Sequence, residues 1–548
     1  MIITKAWNPF GVASGSKAPP ATAPADPKAV KAVDDFSLQK AIEQRKSDMP
    51  VRLISTEDGK MYHRNAIEAR FKIEHAELFD SAVSSNTEAK RGAMEKAFAY
   101  AMLSHRWEGV EPLHKDLDGS DVYSLPESSG TRKLKNFCRH AGERGFRWAW
   151  SDTCCIDKTS TSELQQSIVS MFKWYRNSDL TIIYLGDVGD DSIEALEKSV
   201  WFLRGWTLQE LIAPGRLLFY KSDWTLLATT NDLPVDNYKS SPTFRELLTK
   251  ITGIDDKALT SFDPTSRHIT IRQRMSWAAN RNTTEMEDKA YCLMGIFNVH
   301  FPVMYGEGEN AFVRLQTEIM AVSDDPTLYD WTGEPGSNSF LASSPACFDP
   351  FAPPIVDPVP TTLLAMNELN KIPLVQQAQR GIDTLTVGYF NAQERFSVNA
   401  EHPANFMAGA KIHCHGFEYS VLVVQETPAM VAARKKGETL YQYHIIAESL
   451  HPITVTLAEP VDTGVGFGRL QSKYLCILRV WDHSLATEQS GADVDGEHPL
   501  RKPFVAHLLV SEPGGIYRRI LVKDRIVAKL NNAVEFRLLL QIRTLMIK

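Results

Sequence analysis

The stretch from Trp201 to Gly215, "WFLRGWTLQELIAPG", sets one carboxylate, Glu210, among Trp201, Arg204 and Trp206, just before a Pro-Gly stop. On a helix Glu210 lies one turn after Trp206, on the face opposite Leu208, Leu211 and Ile212. A carboxylate beside an indole places a charge against a flat apolar wall, a lining found in ligand clefts. The competing reading is a solvated Glu and a Trp packed under a neighbouring loop. The choice depends on the elements around the stretch.

Those elements read as α/β from about residue 98. "FAYAMLS" (98–104) is a strand ending in the polar-aromatic run "HRWEG". "TRKLKNFCRHAGERG" (131–145) carries Leu134, Phe137, Cys138 and Ala141 at helical spacing and stops at Gly145. "FRWAWSD" (146–152) alternates as a strand does. "STSELQQSIVSMFKWYRNS" (160–178) opens on Ser/Thr caps and lines Leu164, Ile168, Met171, Phe172 and Tyr175 along one stripe. "LTIIYLGD" (180–187) is the near-continuous apolar run of a buried parallel strand. Strand and helix thus alternate, which predicts a small parallel sheet with helices on both sides.

Such sheets bind ligands beyond the carboxyl ends of their strands. Ser104, His105, Arg106 and Trp107 follow the first strand. Asp152, Cys154, Cys155 and Asp157 follow the second, and Asp187 the third. Trp201, Arg204, Trp206 and Glu210 come next. Seven of the eleven tryptophans lie between Trp107 and Trp224, a density that favours a stacking surface near the strand tips.

Other groupings carry less. Cys154 and Cys155 are adjacent, which is not the two-residue spacing of a zinc arm, and a buried thiol suits them better than a reactive one. His413 and His415 share a strand face, but two ligands make no metal site. The Gly-x-Gly of "FPVMYGEGEN" lacks both the Lys-Ser/Thr and the preceding strand of a phosphate loop. Ser104 and His105 are sequential, with no nucleophile elbow around them. Asp152 and Asp157 read as loop caps or as second carboxylates.

The 548 residues are 43% apolar and 23% charged, enough for two or three domains. A net charge of −7 argues against nucleic acid and anionic membranes as partners. Seven scattered cysteines, no membrane-length apolar run and no secretory signal give a cytoplasmic address as the expectation. Residues 11–35 are rich in Ala, Pro, Gly and Ser and read as a tail, and 1–49 as a disordered or extended segment. Residues 50–96 form a strand ("PVRLIS") and a helical lead-in, 97–230 the α/β domain, and 231–338 a helical extension. In 339–548 alternating segments from "DTLTVGYF" to "RILVKDRIVAKL" predict a mostly β domain.

Together "YAMLSHRWEG", "WSDTCCIDKTSTSELQQSIVSMFKWYRNSDLTIIYLGD", "WFLRGWTLQELIAPG", "RMSWAANRNTTEMEDKAYCLMGIF" and "MYGEGENAFVRLQTEIM" resemble, in order, the fungal heterokaryon incompatibility (HET) domain proteins. The resemblance covers roughly 97–332, and "SFLASSPACF" (339–348) resembles the segment that follows in many members. Glu108 departs from the usual Gly after Trp, and Glu285 from the usual "TTR". The family implies fungal non-self recognition with cell death as output.

A second resemblance is to the TIR domain, a flavodoxin-like sheet in which a Trp-Cys-x-x-Glu-Leu helix carries the glutamate that splits NAD. "WTLQEL" (206–211) has that shape, which implies Glu210 as catalytic residue. The resemblance further implies NAD or a related nucleotide as substrate, with no other cofactor expected; the spacing of cysteines and histidines above gives no metal site as the expectation. Trp206 or Trp107 would stack on a ring of the dinucleotide, and Arg106 or Arg204 would hold its pyrophosphate. Ser104, Asp152, Cys155 and Trp201 complete the expected lining. TIR-like catalysts also imply self-association. The alternative expectation is a non-enzymatic, oligomerising adaptor that recruits a protein partner, with Glu210 and Trp206 structural.

Overall fold

The computed structural model describes residues 27–79, 87–230, 236–323, 325–333 and 341–348, and eight strand segments between 412 and 547. The described residues form two compact units, one within 1–48 and 63–99, the other within 49–62 and 100–548.

The first unit is helical: α1 (Pro27–Asp48), α2 (Arg64–Glu74), α3 (Ala76–Phe79) and α4 (Thr87–Ala97). Leu38, Ile42, Ile67, Phe71, Met94 and Phe98 are its buried apolar residues among those described. Phe71 and Phe98 meet edge to face at 5.3 Å, and Lys46 pairs with Glu68 at 2.6 Å. Helix therefore begins at Pro27, inside the stretch whose composition reads as a tail. Ala, Val, Lys and Leu beyond Pro27 are competent helix formers, and Pro is well placed at a first turn.

The second unit is built on a six-stranded sheet ordered β2-β1-β4-β3-β5-β6. Its strands are β1 (Arg52–Ser55), β2 (Met61–His63), β3 (Tyr100–His105), β4 (Trp148–Trp150), β5 (Leu180–Tyr184) and β6 (Leu217–Tyr220). β4, β3, β5 and β6 run parallel, with Ala101 opposite both Ala149 and Leu180, and Ile182 opposite Leu218. β1 joins antiparallel, Ile54 against Ala149. The sheet is thus mixed, where the alternation of elements predicts a purely parallel one. The strand at 52–55 belongs to it rather than to a separate lead-in. The fourth parallel strand, "LLFY", is only four residues long, too short to register as a strand period in the sequence.

Four helices lie along the parallel part: α5 (Ser129–Glu143), α6 (Thr161–Arg176), α7 (Ile193–Glu197) and α8 (Thr207–Ile212). Ser128 caps α5 through the Thr131 N–H, and Ser160 caps α6 through the Glu163 N–H. From β3 the chain steps one way to β4 and then crosses back to β5. Right-handed crossovers therefore place α5 on one face and α6 with α8 on the other. The reversal makes the carboxyl ends of β3 and β5 the switch point of the sheet.

α8 is enclosed. α9 (Pro242–Thr252), α10 (Asp256–Thr260), α11 (Ile271–Ser276), α12 (Asp288–Tyr291), α13 (Met294–Phe297) and α14 (Asn310–Val322) complete this part, and all six residues of α8 are buried. The long helical period of 273–297 is divided among α11, α12 and α13, because Asn282 leaves the helix to bridge Arg204. α13 seats against α6 at Gly295, where a Cβ would stand 2.1 Å from that of Phe172. Gln316 of α14 holds Ala342 by paired amide bonds of 2.9 and 3.0 Å, so residues 341–348 dock on the helical extension.

The remaining strands are β7 (Ile412–Gln425), β8 (Tyr441–Ile446), β9 (Ile453–Leu457), β10 (Lys473–Ile477), β11 (Phe504–Glu512), β12 (Ile516–Arg519), β13 (Ile526–Ala528) and β14 (Gln541–Ile547). They pair antiparallel, apart from the parallel β12–β14 contact. "DTLTVGYF" lies outside the described residues, as do residues 1–26. His413 and His415 fall on β7, and their side chains are outside what is described.

Candidate active site

A strand turns successive side chains to opposite faces, so the last two residues of β3 serve different layers. Ser104 faces α6 and α8. Its hydroxyl accepts the Trp201 indole N–H at 2.9 Å and donates to Glu210 Oε2 at 2.5 Å. A hydroxyl has one proton, so the incoming indole bond fixes that proton on the carboxylate. Tyr175 of α6 donates to the Leu103 carbonyl at 2.9 Å, and its hydroxyl also feels the Glu210 charge.

Local backbone structure sets Glu210 there. Ser199 caps the short turn Val200–Leu203, and Asp187 at the end of β5 fixes that turn by accepting from Ser199 Oγ (2.8 Å) and Val200 N (2.7 Å). The chain then bridges to Asn282, with Gly205 N on the Asn282 carbonyl at 2.8 Å. A Cβ at 205 would stand 2.5 Å from Thr283 Cγ2, so the close approach requires glycine. α8 starts two residues later. Thr207 Oγ1 donates to the Trp201 carbonyl at 2.7 Å and accepts from Arg281 at 2.8 Å.

Glu210 retains 6% of its exposure. Burial pushes its carboxyl up to about 7, against the opposing pull of Arg204, the Ser104 hydroxyl and Arg281. Asp152 adds to the upward push. Among the described residues no cation forms an ion pair with it. At neutral pH this carboxyl is therefore poised between its two states, as an acid or base at work requires.

His105 faces the α5 side. Burial lowers its pKa, with the Lys133 charge acting in the same direction, so the ring is neutral and Nε2 donates to Asp152 Oδ1 at 3.2 Å. Its Nδ1 is buried with no partner. Asp152 Oδ2 accepts the Trp107 indole N–H at 2.9 Å. Burial pushes the Asp152 carboxyl up, but the His105 bond, Lys158 and Arg204 outweigh it and hold the group well below the usual range. Lys133 of α5 forms a buried ion pair with Glu111 at 2.5 Å and donates to the Arg106 carbonyl at 3.1 Å. Glu111 also accepts from the Glu108 N–H at 2.8 Å, so the loop after β3 is tied down. Lys158 Nζ lies 3.7 Å from the Trp107 ring centre, and the Arg204 guanidinium 5.5 Å from it.

The structure thus brings Ser104, Trp201 and Glu210 into one group and Trp107, Asp152 and Arg204 into another. The charge of Arg204 acts on both carboxylates. Three expected residues lie elsewhere. Trp206 donates at 2.9 Å to Asp288, which also holds Tyr305 at 2.9 Å, so its indole is committed away from Glu210. Cys155 is buried, its thiol pushed well up by burial, and accepts from Ser151 N at 3.5 Å. Arg106 is exposed, with its carbonyl engaged by Lys133. Glu108 lays its carboxylate against Gly186, where a Cβ would come within 2.5 Å of Oε1. A 390 Å³ cleft at α5, lined by residues such as Thr56, Tyr123 and Arg139, shares none with either group. Among the described residues no set of three His, Cys, Asp or Glu is placed to hold a metal ion.

Residues 100–199 match the family model of the heterokaryon incompatibility protein (HET). The chain carries a HET domain. Over 244 residues it is 40% identical to the vegetative incompatibility protein HET-E-1 of Podospora anserina, a match that takes in 42% of this chain and 17% of that protein. The chain therefore spans less than a fifth of that relative's length. No solved structure matches the chain. β3, α5, β4, α6 and β5 all fall inside the HET model's span, and with them Ser104, Trp107, Asp152 and Lys158. Arg204 and Glu210 follow immediately after it. Lys158, Tyr175 and Arg281 are missing from the set that sequence reasoning picks out. Tyr175 sits in an apolar stripe and reads as core, and nothing in the spacing of Lys158 or Arg281 marks them.

Proposed function

We propose that the HET domain hydrolyses the nicotinamide–ribose bond of NAD with Glu210 as its catalytic residue, and that the chain acts in fungal non-self recognition with cell death as output. The observation that carries the chemistry is a carboxyl poised near neutrality, unpaired, at the switch point of the sheet. The likeness to a vegetative incompatibility protein supports the biological role, and the TIR-like shape of "WTLQEL" supports the choice of substrate.

The reaction suits a single carboxylate. In NAD the nicotinamide ring is already a cationic pyridinium, so as the C–N bond breaks its nitrogen takes the electron pair, and neutral nicotinamide departs without needing a proton. The ribosyl carbon becomes oxocarbenium-like, and ionised Glu210 stabilises that charge. Water then adds to the carbon and gives up a proton, which Glu210 accepts. The products are ADP-ribose and nicotinamide. The active form is the carboxylate, so the rate should rise with pH through about 7 and level above it.

With 6% of Glu210 exposed, turnover requires a rearrangement at the strand tips, and self-association is the trigger we assign to it. The same burial, with Ser104 plugging Oε2, favours the second reading, an oligomerising adaptor without catalysis. Nicotinamide release from NAD by wild type and Glu210→Gln decides. Release that Glu210→Gln lowers at least 100-fold supports the enzyme, release that it leaves unchanged removes Glu210, and none from assembled wild type supports the adaptor.

A further inference from the structure

We infer that Lys158 and Arg204, gathered on the Trp107 indole, form a phosphate-binding subsite beside Glu210, and that the phosphate is carried by a nucleotide. The first observation is a stranded cation. Lys158 Nζ is shut off from solvent and has no hydrogen-bond partner. It touches the face of Trp107 at 3.7 Å. A cation–π contact is weak beside the cost of removing an ammonium from water. The ring alone does not compensate that cost, and burial accordingly lowers the Lys158 pKa.

The second observation is that the adjacent carboxylate is already engaged. Asp152 uses Oδ1 for His105 and Oδ2 for Trp107. Among the described residues neither Lys158 nor Arg204 forms an ion pair with it or with any other acid. Glu210 forms no ion pair with either cation among the described residues. The His105 ring is neutral, and Lys133 is spent on Glu111. Lys158 and Arg204 thus lie together beside Asp152 with neither neutralised by an ion pair among the described residues, a cluster of cationic donors on a chain of net charge −7.

The shape of the cluster selects the ligand. A point charge on a flexible stem beside a planar guanidinium fork suits a tetrahedral oxyanion with several acceptors. Trp107, 42% exposed and pinned by Asp152 through its N–H, holds both cations against its ring; Lys158 Nζ itself is closed off, so the anion reaches it through the same strand-tip rearrangement that turnover at Glu210 requires. Its ring face is engaged by Lys158, so Trp107 positions cations rather than stacking on a base. A diphosphate held here keeps a dinucleotide across the strand tips, with its ribose toward Glu210. The nucleotide identity rests on the NAD reading, whereas the anion site does not.

The test is isothermal titration of the full chain with inorganic pyrophosphate, ADP-ribose and, as a phosphate-free control, nicotinamide riboside. Lys158→Met keeps the stem and removes the charge. It should weaken pyrophosphate and ADP-ribose binding at least tenfold and leave the riboside unchanged, while Lys158→Arg stays within threefold of wild type. In turnover, Lys158→Met should raise KM for NAD about tenfold with little change in kcat. Lys158→Gln serves if the Met variant does not fold. Pyrophosphate binding lost in Lys158→Met, with no nicotinamide released by wild type, upholds the subsite and removes the NAD reading. Nicotinamide release at wild-type kcat/KM in Lys158→Met overturns the subsite and leaves that reading standing. Absence of pyrophosphate binding by wild type, or equal binding by Lys158→Met, also overturns it.

Discussion

Glu111 and Glu210 occupy opposite sides of the carboxyl end of β3, 8% and 6% exposed. Glu111 meets Lys133 at 2.5 Å, and the pair anchors the loop that carries Trp107. Glu210 meets the Ser104 hydroxyl and, among the described residues, forms no ion pair, with Arg204 and Arg281 acting on it only from a distance. A buried acid with a partner is scaffold, since its charge is cancelled and its bonds hold backbone in place. One without a partner costs stability whenever it is ionised, and proteins retain such groups where they do chemistry. Equal burial with unequal pairing separates the two roles.

The largest expected effect breaks the paired side. Lys133→Met strands Glu111 and should cost about 3–5 kcal/mol in denaturant unfolding followed by tryptophan fluorescence. Adding Glu111→Leu should recover most of it, because an apolar pair of similar volume replaces the ion pair. The next effect has the opposite sign. Glu210 has a folded pKa of about 7 against an ordinary 4.5. Both states are protonated below 4.5. As pH rises from there the unfolded chain ionises first, and stability falls until about 7. Glu210→Gln lacks that loss. It should match wild type near pH 4.5 and exceed it by about 3 kcal/mol at pH 8, at about 1.4 kcal/mol for each pH unit of the window. A Glu210→Gln chain that loses stability at pH 8 as Lys133→Met does would abolish the contrast.

Much of the scaffold was legible because its signals are local. The apolar run of β5, the Ser caps and stripes of α5 and α6, and the alternation of β4 each speak within one element. The fourth parallel strand was not, because it is short, and β1 was legible as a strand but not as a member of this sheet, because pairing is non-local. The site was legible in part for the same reason. Ser104 and Glu210 could be placed at strand and helix ends, but their bond spans a hundred residues of chain. Trp206 shares a helical period with Glu210, yet Asp288, from the helical extension, captures its N–H. Lys158 is a loop lysine with no pattern around it, and only its burial against Trp107 marks it.

The smallest effect sharpens the contrast from inside the unpaired side. Ser104→Ala removes the donor that favours the ionised form of Glu210, so the carboxyl should titrate above about 7. Near pH 4.5 Glu210 is protonated in both chains, and the change costs only the ordinary bonds of the hydroxyl, about 1 kcal/mol including the partner lost by Trp201. At pH 8 the stranded carboxylate adds to that cost. The deficit of Ser104→Ala relative to wild type should therefore grow between pH 4.5 and 8. In a Glu210→Gln background it should be the same at both, since the amide has no charge to lose. A deficit that grows in both backgrounds would assign the pH dependence to another group and leave Glu210 without the titration that its chemistry requires.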